Sequence, residues 1–341
     1  MILSLAPMEG LTGYVFRRVH AECFGALDRY YTPFLPPPRV GKTFGGKAFK
    51  ELDPANNQGL TVIPQLMSKN ADEFVGATQV LADMGYHEVN LNLGCPSGTV
   101  VGKGKGSGFL RDLGELELFL QDICSRSALG VSVKTRVGFE SDAEYKDILD
   151  LYCRCPLAEL IVHPRVRADF YKGVPRQELY GKTLERAPFP VAYNGDIFDV
   201  DDMDALVAAY PQTRHVMIGR GLLANPALAR MAQGGPAMTL AELKHFHDEL
   251  YRAYEAEMGG NAVFRMKEWG STPSAPSQIR WRFTGLFARH VKPRSTKRLP
   301  SGSLAKSLLP ASLVFVDSNR RRVPCMERAC DFVTACSFGP R

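Results

Sequence analysis

The sequence predicts a (β/α)₈ TIM barrel on three observations: eight short β-rich runs, helix-like segments between them, and polar residues gathered at one end of nearly every run. The first run, residues 2–5, gives way to APMEG, where a doubly wound sheet would carry GxGxxG in its opening turn. That absence, with the number of runs, favours the barrel over its nearest rival. Helical spacing follows at 14–23, then come runs 28–32 and 61–66, helix 71–84, and run 88–93 leading into a glycine-rich loop. Helix 115–127 leads to run 131–136, helix 142–153 to run 160–163, helix 176–185 to run 190–193, and helix 200–209 to run 215–218. A short helical segment at 226–231 closes the eighth unit. Beyond it, Leu240, Leu243, Phe246, Leu250 and Tyr254 recur at three- to four-residue spacing and mark an amphipathic helix over 240–258, with another starting at 262–268. The chain thus divides into a barrel over 1–235, the opening of a helical region over 236–268, and a tail over 269–341.

The tail differs in texture from everything before it. Its 73 residues hold ten serines and seven prolines, with 13 Lys+Arg against 3 Asp+Glu. The preceding 268 residues hold 29 against 33, so the formal charge of +6 divides into −4 and +10. A pI near 8.8 ordinarily suggests a nucleic-acid partner, but here it reports the tail alone. No run of about 18 apolar residues exists to span a membrane, and the start MILSLAPMEG lacks the charged prelude of a secretory signal. Eight cysteines at irregular spacing suit neither a zinc site nor a disulfide framework. The chain is expected in the reducing cytoplasm, as a monomer without metal.

Barrel enzymes build their active sites at the C-terminal ends of the strands, and seven of the eight runs end in polar residues. Met8 and Glu9 follow the first run, Gln65 ends the third, and Asn90 and Asn92 end the fourth. Lys134 and Arg136 end the fifth, His163 and Arg165 the sixth, Asn194 and Asp196 the seventh, and Gly219 and Arg220 the eighth. Singly each is an ordinary strand-end cap; together they point to a shared ligand. MIGRGLLANPAL after the eighth run and NGDI after the seventh make the phosphate site that barrels place there, since glycine admits backbone N–H groups and Arg220 adds a charged fork.

Three residues carry the chemistry. Lys134 alternates with Val131, Val133 and Thr135, so it points into the mouth, where it needs a negative partner: a reduced flavin edge, or Glu9 or Asp196. Cys95 stands directly after the fourth run, ahead of a glycine-rich loop suited to closing over substrate. A thiol with a pKa of about 8.5 is protonated at neutral pH and can act as an acid; the plain alternative is a buried, inert cysteine. His163 ends an apolar run with Arg165 on the same side. It suits a flavin carbonyl or a base edge, and equally a satisfied core histidine. Arg167, Tyr171 and Lys172 add charge and a stacking surface nearby.

Taken in order, APMEGLTGYVFRR, IPQLM, NLNLGCPSGTVVGKGKGSG, VSVKTR, HPR, NGDI and IGRG resemble the tRNA-dihydrouridine synthases, over residues 1 to about 268. The cysteine loop is the most specific of these; GRG and NGD recur in many flavin-binding barrels. The resemblance implies that Pro7, Met8, Glu9, Gln65, Lys134, His163, Asn194, Gly195, Asp196, Gly219 and Arg220 surround FMN. It implies NADPH as the reductant, hydride passing from the flavin N5 to uracil C6, and Cys95 as the proton donor to C5. It also implies tRNA as the partner, gripped by a helical C-terminal domain that 236–268 begins. The base must leave its stack to reach the mouth. There Lys103 and Lys105 would neutralise phosphates, and Asn90, Asn92, Arg136, Arg165, Arg167 and Tyr171 would face the substrate.

Two readings compete. Another FMN-dependent barrel, such as an ene-reductase or an enzyme like dihydroorotate dehydrogenase, would share the phosphate site and act on a small substrate. A non-enzymatic RNA-binding module driven by the basic tail would hold no flavin. The tail itself departs from the family pattern. Trp269-Gly270-Ser271-Thr272-Pro273 is expected to stop the preceding helix at once, and the apolar run 308–316 is poor material for a solvated arm. Residues 269–341 are therefore expected to be disordered or non-native, as from a shifted reading frame, with a genuine basic RNA-binding arm as the competing reading.

Overall fold

A computed structural model describes residues 1–270, and the expectations placed on 271–341 lie outside the described residues. The strands are β1 (Ile2–Leu5), β2 (Arg29–Tyr31), β3 (Val62–Ile63), β4 (Gln65–Leu66), β5 (Glu88–Leu93), β6 (Gly130–Arg136), β7 (Glu159–His163), β8 (Val191–Tyr193) and β9 (His215–Ile218). All pair in parallel, in the order β3-β2-β1-β9-β8-β7-β6-β5-β4. The two ends of that order meet at Pro64, which has no N–H to give to a ladder. β3 pairs with β2 and β4 with β5. Across the break, the Asn90 N–H donates to the Pro64 carbonyl at 2.8 Å, and the Gln65 N–H turns to the Thr32 hydroxyl at 2.9 Å. The barrel of eight staves is present, with its third stave divided in two.

The helices are α1 (Tyr14–Phe24), α2 (Gly46–Leu52), α3 (Ala71–Asp83), α4 (Gly98–Val101), α5 (Leu113–Arg126), α6 (Tyr145–Cys153), α7 (Gln177–Arg186), α8 (Val200–Ala209), α9 (Arg220–Ala224), α10 (Leu228–Ala232), α11 (Leu240–Met258) and α12 (Ala262–Gly270). Asn70, Asp112, Asp199 and Thr239 begin α3, α5, α8 and α11 by accepting a backbone N–H. Helices α2, α4 and α9 are too short to show a period and were not legible in the sequence. Inside the barrel, Ala6, Tyr31, Ile63, Ile161, Ala192 and Met217 make a small apolar layer of their own. Polar side chains lie on either side of it, toward the strand starts (Ser4, Glu159, His215) and toward the strand ends. Among the described residues no helix is long and apolar enough to cross a membrane.

The C-terminal helices close over α1. Phe246 of α11 meets the rings of Phe16, His20 and Phe24. Helix α12 continues through Gly270, past the stop expected at Trp269. That indole is 5% exposed and packs on Phe16 and Phe246. Burial of so large a ring outweighs the poor helix propensity of the glycine after it.

Candidate active site

The turn after β5 is built around Asn92. Its Oδ1 accepts the N–H of Gly94 at 3.1 Å and of Cys95 at 3.0 Å. The Cys95 carbonyl in turn accepts the Ser107 hydroxyl at 2.8 Å and the Ser107 N–H at 3.1 Å. The glycine-rich loop therefore folds back onto the cysteine. Gly106 permits this approach: its φ is +56°, and an added Cβ would lie 3.0 Å from the Cys95 oxygen and 2.9 Å from a Val100 methyl. Cys95 is half-buried. Burial pushes its thiol pKa up, and the Ser97 backbone N–H, followed by the cations of Arg136 and Lys134, offsets only part of that rise. The thiol keeps its proton at neutral pH, as an acid must.

Lys134 ends half-buried at the mouth, with no hydrogen bond or ion pair among the described residues. Burial, and after it the charge of Arg136, lower its pKa to about 7. Both carboxylates expected as alternative partners are engaged elsewhere. Glu9 is exposed and pairs with Lys47 at 3.1 Å, while Asp196 is held by Arg165 at 2.5 Å and by Arg220. His163 is buried, and Arg165 Nη1 donates to its Nε2 at 3.2 Å, which leaves the ring proton on Nδ1. Burial and then the charges of Arg136, Lys134, Arg165 and Arg220 push its pKa well below the usual value. It is a neutral ring at pH 7, not an acid.

Several residues expected to face the substrate lie deeper. Arg165 is fully buried and uses all five N–H donors, on the carbonyls of Lys172 and Gly173, on His163 and on both Asp196 oxygens. Arg136 is 1% exposed and donates to the carbonyls of Gly94, Val166 and Phe170. Asn90 is fully buried between Gln65 and Ser132. These three brace the mouth from beneath; polar residues at a strand end serve as readily to hold loops as to meet a ligand. Arg167 packs over Phe139 and Phe170. Tyr171 is exposed, stacked on His163 with ring centroids 6.2 Å apart, and carries Arg136 and Arg220 over its ring at 5.4 and 5.3 Å. Lys103 is exposed and Lys105 half-buried on the cysteine loop.

The β8 and β9 ends come together. Asn194 donates to the Met217 carbonyl at 2.8 Å, and Gly195 and Asp196 follow it, half-buried. An added Cβ on Gly221 would lie 1.9 Å from the Ile197 carbonyl oxygen, so the NGDI and GRG turns interlock. Pro7, Met8, Gly219 and Arg220 are half-buried beside them, Met8 close enough that an added Cβ on Gly219 would lie 3.7 Å from its sulfur.

The family model for dihydrouridine synthase (Dus) matches residues 4–289. The chain belongs to the dihydrouridine synthase family. The match runs beyond residue 268, where the resemblance read from motifs ends. A probable tRNA-dihydrouridine synthase of Staphylococcus aureus (strain COL) is 31% identical over 265 residues, covering 74% of this chain and 78% of that protein. Probable tRNA-dihydrouridine synthase 2 of Bacillus subtilis (strain 168) is 29% identical over 260 residues, 74% of this chain and 79% of that one. A solved structure of a variant of NCR from Zymomonas mobilis aligns with a TM-score of 0.48 at 13% identity, over 70% of this chain and 88% of that one. As a dihydrouridine synthase the chain is an oxidoreductase. Two of its site residues escaped the sequence reading. Ser107 locks the cysteine loop and carries no signal among so many glycines and serines. Ser132 shares the inward face of β6 with Lys134, two residues on, and that alternation was its only mark.

Proposed function

We propose that this dihydrouridine synthase reduces uridine to 5,6-dihydrouridine in tRNA, with FMN as its flavin and NADPH as the reductant. The observation that carries the reading is Lys134, a half-buried amine at the mouth with no hydrogen bond or ion pair among the described residues, beside a neutral His163 and two carboxylates already engaged. Burying an unpaired cation is costly, so the site suits an electron-rich or anionic group. Lys134 and His163 fit the ring edge of a flavin, with Gln65 and Asn92 bracing that wall from behind. Arg220, oriented by Asp196, fits its phosphate with the glycine turns at Gly195 and Gly219, and Pro7 and Met8 lie alongside. A flavin held there would bring hydride chemistry to the mouth, with NADPH as the source of its electrons and uracil C6 as the acceptor. Cys95 gives its proton to C5, which completes saturation of the C5–C6 bond. Arg136 and Lys134 stabilise the thiolate left behind until water returns the proton. Asn92 and Ser107 hold the backbone on either side of Cys95, so the thiol does not swing away. At the rim, Tyr171, Lys103 and Lys105 offer stacking and charge to a flipped-out nucleotide. The names of the relatives support tRNA as the substrate.

The test is the purified chain with FMN, NADPH and an unmodified tRNA transcript. Mass spectrometry should show a uridine that has gained two hydrogens. Reduction of small activated alkenes with the tRNA unchanged would instead favour an ene-reductase.

A further inference from the structure

Four buried polar side chains lead from Cys95 down into the barrel. Asn92 receives the Gly94 and Cys95 N–H groups on Oδ1 and donates through Nδ2 to Gln65 Oε1 at 2.8 Å. Gln65 Nε2 donates to Asn90 Oδ1 at 2.8 Å, and Asn90 Nδ2 donates to the Ser132 hydroxyl at 3.0 Å. Ser132 turns its own proton down toward the Val89 carbonyl at 3.4 Å and the Glu88 carboxylate, level with its register partner Glu159 on β7. Asn92 is 8% exposed and the other three are 0% exposed, so water does not replace any of these bonds.

A carboxamide usually has two equally plausible orientations, because its oxygen and nitrogen are alike in shape. Here the two ends of the run decide. Backbone N–H groups only donate, so Asn92 turns its oxygen to Cys95 and its nitrogen to Gln65. Gln65 then turns its oxygen up and its nitrogen down, and Asn90 does the same. At the lower end the Val89 carbonyl and the Glu88 carboxylate both accept, so the single Ser132 proton points down to one of them and a lone pair faces Asn90. That lone pair requires the Asn90 nitrogen. Both ends impose the same direction, and bonds aligned head to tail reinforce one another.

We infer that Ser132 is a positioning residue for Cys95, acting through Asn90, Gln65 and Asn92; this rests on the reading that Cys95 donates the proton to uracil. Without the hydroxyl, Asn90 Nδ2 is left buried with no acceptor, a loss that is expensive wherever water is excluded. Asn90 then shifts to find another partner, Gln65 and Asn92 follow, and the turn that carries Cys95 loosens. A serine that merely filled space would affect the protein equally with or without the thiol.

A double-mutant cycle separates the two roles. Ser132→Ala should slow uridine reduction about tenfold when Cys95 is present and less than about twofold in a Cys95→Ala background. Ser132→Thr, which keeps the hydroxyl, should retain most of the rate. Ser132→Cys keeps the volume with a weaker acceptor and should act in the same direction as alanine if the alanine variant folds poorly. A second readout needs no turnover: alkylation of Cys95 by iodoacetamide, followed by mass spectrometry, should be at least about threefold faster in Ser132→Ala and unchanged in Ser132→Thr. Equal losses in both backgrounds with unchanged alkylation would overturn the inference. If Cys95→Ala alone left uridine reduction intact, the proton-donor reading would fail, and the alkylation rates would still decide whether Ser132 holds the cysteine.

Discussion

Lys134 and Cys95 are shifted in opposite directions by one cause. Burial penalises whichever form is charged, so it lowers the ammonium to about 7 and raises the thiol. The lysine shift has a consequence for stability. Between a folded value of about 7 and the ordinary 10.5, the unfolded chain holds a proton that the folded chain lacks. Stability of the flavin-free protein therefore rises with pH across this window, by at most about 1.4 kcal/mol per pH unit for one proton. Urea unfolding of the parent and of Lys134→Met at pH 7 and at pH 8 should show the parent gaining relative to the variant; a gap that stays constant would refute it. The position of Lys134 was legible, because VSVKTR alternates and a lysine on the inward side of a strand has few uses. Ser132 stands on the same face, yet serine is too common in strands for one to be singled out. Nor did the sequence distinguish Arg220, half-buried at the mouth, from Arg165, whose five donors are all spent beneath it. Only the partners show which arginine has all its donors spent within the protein.

At the scale of elements, the site depends on turns fitting together. GRG and NGDI read in the sequence as two halves of a phosphate site, but not as two turns in contact. The contact is close: an added Cβ on Gly221 would lie 1.9 Å from the Ile197 carbonyl oxygen. Gly221→Ala must push the two turns apart, and overpacking of this kind costs about 1–3 kcal/mol. The expected result is a lower urea midpoint together with weaker flavin binding, and an unchanged midpoint with full flavin retention would show that the turns are not coupled. The divided stave has a similar lesson. Residues 61–66 read as one strand by composition, and Pro64 splits them into β3 and β4 while the barrel still closes. Pattern detects the stave, but the missing N–H decides how it pairs.

For the whole molecule, the barrel was legible because its unit repeats eight times and each repeat reinforces the others. The C-terminal limit was not. Trp269-Gly270 looks like a helix stop by local propensity, whereas the burial of Trp269 depends on Phe16 and Phe246, which are remote in sequence. Trp269→Ala should cost about 3–5 kcal/mol in urea unfolding, as expected for a large core side chain; a loss under about 1 kcal/mol would place the indole outside the core. The charge distribution likewise matters as a whole. Residues 1–268 carry a net −4 and residues 269–341 a net +10, so on the barrel itself local cations such as Lys103 and Lys105, rather than net charge, would draw in a phosphate backbone under the proposed function. All of these parts converge on the thiol at the mouth, and the most direct measurement compares two half-reactions in Cys95→Ala. NADPH should reduce the bound flavin at the parent rate, while reduction of uridine in tRNA should fall by about 10²–10⁴-fold, the usual effect of losing a positioned acid. Uridine reduction at the parent rate would contradict the account and leave Cys95 a structural residue.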